Sequence, residues 1–530
     1  MNFFGVTRKY DFARGPMMPG MLLMALPLIG IALLKWIPGI ISSVLLNNVA
    51  NYYGSSYLAG IVGGMNSLNI LNGFSAALMM GAAVVVARSC GKNDVRRLSA
   101  SVNTVLLVSV VTGFILAAVC LVFALPLAGL HGTYAETMHI AAKYIRLNVL
   151  NVLLGTVSGA LLGCMYGMGD TVRPLLITAV QMFLRSVIYV VTVPILKMGM
   201  YGFVLADTFA ALVGVLLGFV CFALGNGEAK LNLKAGFHAK SLAFIIVIAL
   251  TLGVQNWPTY SSLLKVYGGL STAAVATFSI AQRVSRTGSG IIAALIPMIL
   301  TVVSQCSGAG DARKAFKSAA AAIAVAVLPA LMVTVPMLLI GPFAARLFYN
   351  DMSYSVMEFV PVMVRTQLIS GFFTGAMLAV AAAIRGRGAT VLAAITSIGA
   401  QLAMVFVMFA VMNHYRYGLY GACIANCLMA FAGFVGSVVV FIVLNIIAIA
   451  TQKPLPRQYA APVQPYAAPA QPYAAPVQNT YAQPVQQPVR PAMNFDPMTG
   501  KPLNQGGFVP KFDPMTGKPL QQDGQNVDNA

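Results

Sequence analysis

Between residues 18 and 450 the chain alternates long apolar runs with short polar breaks. The runs lie near 18–48, 57–87, 99–128, 136–165, 171–195, 200–224, 241–264, 269–304, 316–342, 353–384, 389–412 and 418–450. Each is long enough to cross a bilayer, which takes roughly 20 apolar residues in a helix. The runs are continuous rather than alternating, so they predict helices and not barrel strands. The expected fold is an all-α membrane protein with twelve transmembrane helices.

The pattern is duplicated. "CMYGMGDTV" at 164–172 aligns with "AIRGRGATV" at 383–391, and "MYGFVLADTFAALVG" at 200–214 with "LYGACIANCLMAFAG" at 419–433; both pairs are offset by 219 residues. The same offset joins Gly167 to Gly386, Gly169 to Gly388, Tyr201 to Tyr420 and Gly214 to Gly433. Nearer the start of each half, "GKNDVRR" at 91–97 matches "GAGDARK" at 308–314 with an offset of 217. The expected organisation is a six-helix lobe over 1–224, a cytoplasmic linker over 225–240 and a second six-helix lobe over 241–450. Six spans return the chain to its starting side, so the lobes should lie parallel about a pseudo-two-fold axis along the membrane normal. Transporters are commonly built so, with the substrate site between the halves near the midplane. The plainer alternative is a duplicated scaffold that transports nothing.

Composition agrees with lipid as the solvent. Of 530 residues, 58% are hydrophobic and 9% charged, with a mean hydropathy of +0.81; a soluble domain carries about 25% charged residues. Lysine and arginine mark the cytoplasmic side. They gather at Arg8, Lys9 and Arg14, at Arg88, Lys92, Arg96 and Arg97, at Lys230, Lys234 and Lys240, at Arg313, Lys314 and Lys317, and at Arg385 and Arg387. Both termini are therefore expected in the cytoplasm. Topology explains much of the net charge of +20, and no nucleic-acid partner is implied. The first apolar run is too long for a cleavable signal peptide. The seven cysteines suggest no disulfide framework, and nothing completes a metal site around Cys423 and Cys427. No metal cluster or nucleophile–base pair is evident, so neither catalytic residues nor a cofactor are expected and the chain does not read as an enzyme. The four histidines receive no role.

The matched residues also carry a family resemblance. A basic loop with Gly and Asp follows spans 2 and 8, a Gly-x-Gly-[Asp/Ala]-Thr turn follows spans 4 and 10, and Tyr-Gly opens spans 6 and 12. These features, and the stretch 271–316, resemble the MATE family, within the superfamily that also holds polysaccharide and lipid-linked oligosaccharide flippases. The resemblance implies a multi-pass transporter of the bacterial cytoplasmic membrane, exporting organic compounds as Na⁺ or H⁺ enters. One departure stands out. Multidrug members usually carry an aspartate late in span 1, in a pattern like Asn-x-x-Asp; here the stretch reads "LNNVAN", with Asn51 in that place. The usual coupling site cannot be carried over.

Ionisable groups at membrane depth are costly and point to function. Arg146 lies about 18 Å into span 4 at 1.5 Å per residue, and Arg365 is its repeat partner in span 10. Lys35, Arg185, Arg283 and Arg286 also fall near mid-span. Against these six cations, Asp207 is the only carboxylate clearly inside a span, and its counterpart is Asn426. Two readings follow. The cations line a water-filled basic cavity and bind an anionic substrate group, or they bond to backbone carbonyls and to Asp207 and hold helices together. Asn66, Asn69 and Asn72 form one stripe of span 2, suited to the cavity wall or to interhelical hydrogen bonds. Asp207 is the candidate coupling group. Pro27, Pro38, Pro258, Pro297 and Pro329 are candidate kinks.

After residue 451 the chain turns to Pro, Gln and Ala, with tyrosines every seven residues at 459, 466 and 473 and "FDPMTGKPL" at 495–503 and 512–520. This composition predicts a disordered cytoplasmic tail whose nonapeptides suit an unknown partner. The sequence thus points to a MATE-type exporter of an anionic or zwitterionic solute, with a flippase of a lipid-linked pyrophosphate or glycan as the alternative.

Overall fold

The computed structural model describes residues 10–129, 135–223, 241–252, 272–344, 354–413 and 418–451. Its elements are α1 (Met17–Tyr53), α2 (Ser55–Gly91), α3 (Val95–Val122), α4 (Ala124–Gly129), α5 (Ala135–Leu147), α6 (Val149–Gly167), α7 (Val172–Val190) with a π turn (Val191–Ile195), α8 (Met200–Ala223), α9 (Ser241–Leu252), α10 (Thr272–Gly308), α11 (Ala312–Ala344), α12 (Tyr354–Arg387), α13 (Thr390–Asn413) and α14 (Gly418–Ala450). No strand occurs among the described residues. Eleven described helices are long and apolar enough to cross a membrane, and α9 adds a shorter apolar one. The chain is an all-α, multi-pass membrane protein. The linker 225–240, the rest of the seventh run and the tail repeats lie outside the described residues.

Two runs read as single spans are divided. The third passes from α3 to α4 at Phe123. The fourth is broken at Asn148 between α5 and α6. There the Asn148 side-chain amide donates to the Tyr144 carbonyl at 2.9 Å, and Asn151 donates to Asn148 Oδ1 at 3.1 Å. An asparagine that bonds its own backbone competes with the helix ladder, which an apolar sliding window does not register.

The two halves repeat their turns as well as their spans. Asp94 caps α3, accepting from the Arg97 amide at 3.0 Å, and Asp311 accepts from the Lys314 amide at 2.8 Å before α11. The residues just before these caps, Asn93 and Gly310, both have positive φ, 57° and 85°. In the Gly-x-Gly turns, Gly169 and Gly388 take φ of 77° and 102°, a region closed to most side chains. Within the halves, α2 packs on α3, α5 and α6, and α10 packs on α11 and α12. Small residues permit close approach, as is usual for helices in lipid. A Cβ on Gly163 of α6 would come 2.2 Å from the Met79 carbonyl oxygen of α2. The outer faces carry Phe183, Met332, Leu339 and Phe406, each at least 70% exposed, a surface suited to lipid rather than water.

Hydrogen bonds between the halves gather at the basic-loop end. Gln305 of α10 accepts from the Phe12 amide at 3.1 Å and donates to the Gly167 carbonyl at 3.1 Å. Thr301 donates to the Tyr166 carbonyl at 2.9 Å. Arg88 donates to the Gly386 carbonyl at 3.2 Å, and Lys314 to the Ala13 carbonyl at 2.6 Å. The bundle is closed at this end.

Candidate functional site

Inside the N-terminal half, four helices bring polar side chains together. Arg185 and Tyr189 stand one turn apart on α7, so they share a face. Arg185 Nε donates to Tyr189 Oη at 2.9 Å and lies 2.6 Å from Asp207 Oδ1 of α8. The Tyr189 hydroxyl also donates to Asp207 Oδ1, and its ring meets Phe203 edge-on at 5.2 Å. Tyr144 of α5, 2% exposed, sits close enough to feel both charges of the pair. Lys35 of α1 completes the group: its ammonium is near enough to Arg185 for the like charges to repel.

Two cations and one carboxylate leave this cluster at +1 (Lys35 and Arg185 against Asp207, 2 − 1). The Arg185 side chain keeps 33% of its exposure, Asp207 11%, and Lys35 is exposed. Lys35 and Arg185 thus keep part of their surface uncovered by protein, while two tyrosines cover the cluster on another side. The surplus positive charge of such a cluster favours anionic groups.

The other candidates fall elsewhere. Arg146 is exposed in the last turn of α5, just before the Asn148 break. Arg365 is exposed on α12, and its Nε donates to the Leu338 carbonyl of α11 at 3.3 Å. The reason lies four residues on. Pro342 is inside α11 and has no N–H to give to the carbonyl at i−4. Arg365 supplies the missing donor. Arg286 is exposed on α10; the Arg283 side chain lies outside the described residues, as does that of Asn51. Asn69 and Asn72 are exposed and Asn66 is half-buried on α2. Among the described cations, Arg185 meets Asp207 with Lys35 beside it, while Arg365 is engaged by a backbone carbonyl.

Some polar participants were not singled out from the sequence. Tyr144 and Tyr189 look like ordinary apolar-run aromatics; the i, i+4 spacing of Tyr189 from Arg185 is the signal that would have found it. Arg385 reads as part of a basic loop with Arg387, yet it is 2% exposed and lines a cavity of about 60 Å³ among α2, α9, α10 and α12. One guanidinium N–H of Arg385 reaches Ser397 Oγ at 3.4 Å.

Residues 27–191 match the sequence model of the MatE family. The chain is similar to a probable multidrug resistance protein, YoeA, of Bacillus subtilis, at 23% identity over 254 residues; the match takes in 46% of this chain and 52% of that protein. The chain thus spans about half the length of that curated relative. Among solved structures, the fold is similar to a MOP superfamily transporter from Pyrococcus furiosus, described as having a binding pocket of reverse polarity that suggests a different function. That likeness has a TM-score of 0.77 and 17% identity, and covers 84% of this chain and 99% of the other. It is also similar to a multidrug resistance MATE family transporter of the MOP superfamily in an outward-facing conformation, with a TM-score of 0.74, 18% identity, and coverage of 84% and 100%. The MATE resemblance read from the sequence is borne out, and the fold is that of these transporters.

Proposed function

We propose that the chain is a secondary active transporter of the bacterial cytoplasmic membrane that exports an organic solute by ion-coupled antiport through alternating access, and that the solute is anionic or zwitterionic. The observation that carries this reading is the Lys35–Arg185–Asp207 cluster, in which one carboxylate faces two cations inside an apolar bundle.

Charge bookkeeping narrows the choice. Protonating Asp207 frees Arg185 and raises the cluster from +1 to +2. A simple anion would then bind best together with the proton, and the two would travel the same way. Antiport requires that proton and substrate exclude each other. A zwitterion meets that requirement: its cationic group takes Asp207 in the proton's place, and its acidic group takes Lys35 and Arg185. Entry of a proton onto Asp207 then expels the solute. Closure at the basic-loop end, with Gln305, Thr301 and Arg88 bridging the halves, suits a state from which release occurs on the opposite side.

The test is efflux of zwitterionic, anionic and cationic probes from proteoliposomes under an imposed pH or Na⁺ gradient. Gradient-driven movement of the zwitterion, with Asp207→Asn abolishing the dependence on the gradient, is the expected result. Drug cations moving with wild-type rates through Arg185→Met would sink the reading. A second reading, a flippase for a lipid-linked anion, is favoured by the exposed Arg146 and Arg286. It predicts that translocation of a pyrophosphate-bearing lipid falls in Arg146→Gln and is indifferent to Asp207→Asn.

A further inference from the structure

At the basic-loop end, away from the cluster just described, α2, α3 and α9 enclose a cavity of about 240 Å³. Arg88 lines it from α2 and Lys92 from the residue just after α2, Arg97 and Ser101 from α3, and Ser241 and Phe244 from α9. Asp94 is the neighbouring carboxylate, and it is already engaged: its Oδ2 lies 3.1 Å from Arg97 Nε. Three cations against one carboxylate leave a surplus of +2 (3 − 1).

Each remaining cation is set up differently. The Arg88 guanidinium lies over the Phe244 ring, 4.4 Å from its centroid, and one of its nitrogens donates to the Gly386 carbonyl at 3.2 Å. These two contacts fix its plane while most of its five N–H donors have no acceptor among the described residues. Lys92 is exposed and makes no described side-chain bond. Ser101 is already turned toward Ser89, hydroxyl to hydroxyl at 2.9 Å. Ser241 opens α9, and the positive end of a helix favours an anion. The membrane-spanning stretch of α2 ends at Gly91, so the cavity lies at the depth of the headgroups on the basic side.

We propose that this cavity binds a phosphate group, and that its usual source is the headgroup of an anionic phospholipid of the cytoplasmic leaflet. Basic pockets between helices on that side of a bilayer select such headgroups, and a planar guanidinium beside an ammonium suits phosphate oxygens. The site is independent of the substrate reading above. Its occupant has a mechanical effect. Arg88 belongs to the first half but touches Gly386 of the second, and a Cβ on Gly388 would come 2.4 Å from its guanidinium. A phosphate held by Arg88 and Lys92 therefore favours the state in which the halves are joined at this end, by the amount that it binds this state better than the other.

The full-length protein, stripped of lipid in a neutral detergent, is tested with phosphatidylglycerol, phosphatidylcholine and inorganic phosphate. Melting temperature and the lipid retained in native mass spectrometry are the readouts. Phosphatidylglycerol is expected to raise the melting temperature by roughly 2–4 °C and to be retained, while phosphatidylcholine does neither. Lys92→Gln should remove most of that gain; Lys317→Gln, an exposed basic residue at the same end but outside the cavity, should keep it. Inorganic phosphate that reproduces the shift and competes with the lipid would assign a soluble source to the same pocket. Equal responses to both lipids with none to phosphate, or a Lys92→Gln protein that responds like the wild type, overturn the proposal.

Discussion

The N-terminal and C-terminal halves share a backbone plan but fill the same place with opposite chemistry. Applying the offset of 219 residues, Tyr144, Arg185, Tyr189 and Asp207 fall on Met363, Met404, Met408 and Asn426. In the first half these positions hold an ion pair, two tyrosine hydroxyls and a neighbouring lysine. In the second, the three methionines are buried at 0–4% exposure and belong to one apolar core. Asn426 only donates to Ser370 Oγ at 3.1 Å. Nearby, Gln181 donates to Ser158 at 3.3 Å and to the Ala210 carbonyl at 3.1 Å, where the second half has Ala400 and Met377. Methionine fills irregular space without specifying a partner. A buried ion pair is retained at some cost to stability. The two halves thus fill equivalent positions differently, with an ion pair in the first and an apolar core in the second.

The largest break in that comparison is Asp207→Asn, which gives the first half the residue of the second. It leaves Arg185 and Lys35 without a carboxylate. Removing one member of a buried pair costs 3–5 kcal/mol in a sealed core; with Arg185 a third exposed, about 2 kcal/mol is expected. Chemical or thermal unfolding in detergent measures it, and coupling to the ion gradient should vanish at the same time. Next in size is a pair of glycine substitutions. A Cβ on Gly214 would lie 1.8 Å from Gln181 Nε2, while one on Gly433 would lie 2.9 Å from Ala400 Cβ and 3.2 Å from the Met377 sulfur. Gly214→Ala should lower stability by roughly 1–3 kcal/mol and Gly433→Ala by less, because the methionine can turn aside; the reverse order would mean that the first half is the softer one.

Smaller still is Arg365→Gln. The Leu338 carbonyl loses its donor, a loss of about 1 kcal/mol. Pro342→Ala restores an N–H to the helix and should make the arginine dispensable. If the double variant is no more stable than Arg365→Gln alone, Arg365 acts otherwise, and an anion-binding role regains ground. The least change in stability, within about 1 kcal/mol, is expected for the graft Arg185→Met, Tyr189→Met and Asp207→Asn. Replacing a whole buried pair with apolar groups of similar volume is often neutral. Transport should nonetheless fail. A stable graft that still moves substrate would show the polar cluster to be dispensable.

The spans and the repeat were legible because both are long-range patterns: long apolar runs, and offsets of 219 and 217 residues joining matched turns, with positive φ at both Gly169 and Gly388. Arg185 and Asp207 were legible as isolated charges in apolar runs, since burying either is costly enough to stand out. Their pairing was one of two readings, as nothing in sequence spacing aligns α7 with α8. The methionine filling of the second half carried no signal, because methionine is unremarkable in an apolar run. Arg385 was hidden for a different reason. It stands two residues from Arg387 at a span end, where positive charge marks topology, and only packing shows that the helix end carries it inward. Arg365 required knowing which helix faces Pro342.

The break at Asn148 has a consequence of its own. In the second half the equivalent position, Gln367, lies within the unbroken α12, and its carbonyl accepts from Ser285 at 2.6 Å. The first half instead interrupts its ladder between α5 and α6, one turn from Tyr144. Amides around 146–149 should therefore exchange with solvent deuterium sooner than those around 365–368, although the two segments are equivalent in the repeat. The run thus crosses as two rods instead of one, and the Tyr144 side of the polar cluster belongs to the shorter of them, each seated separately against α2.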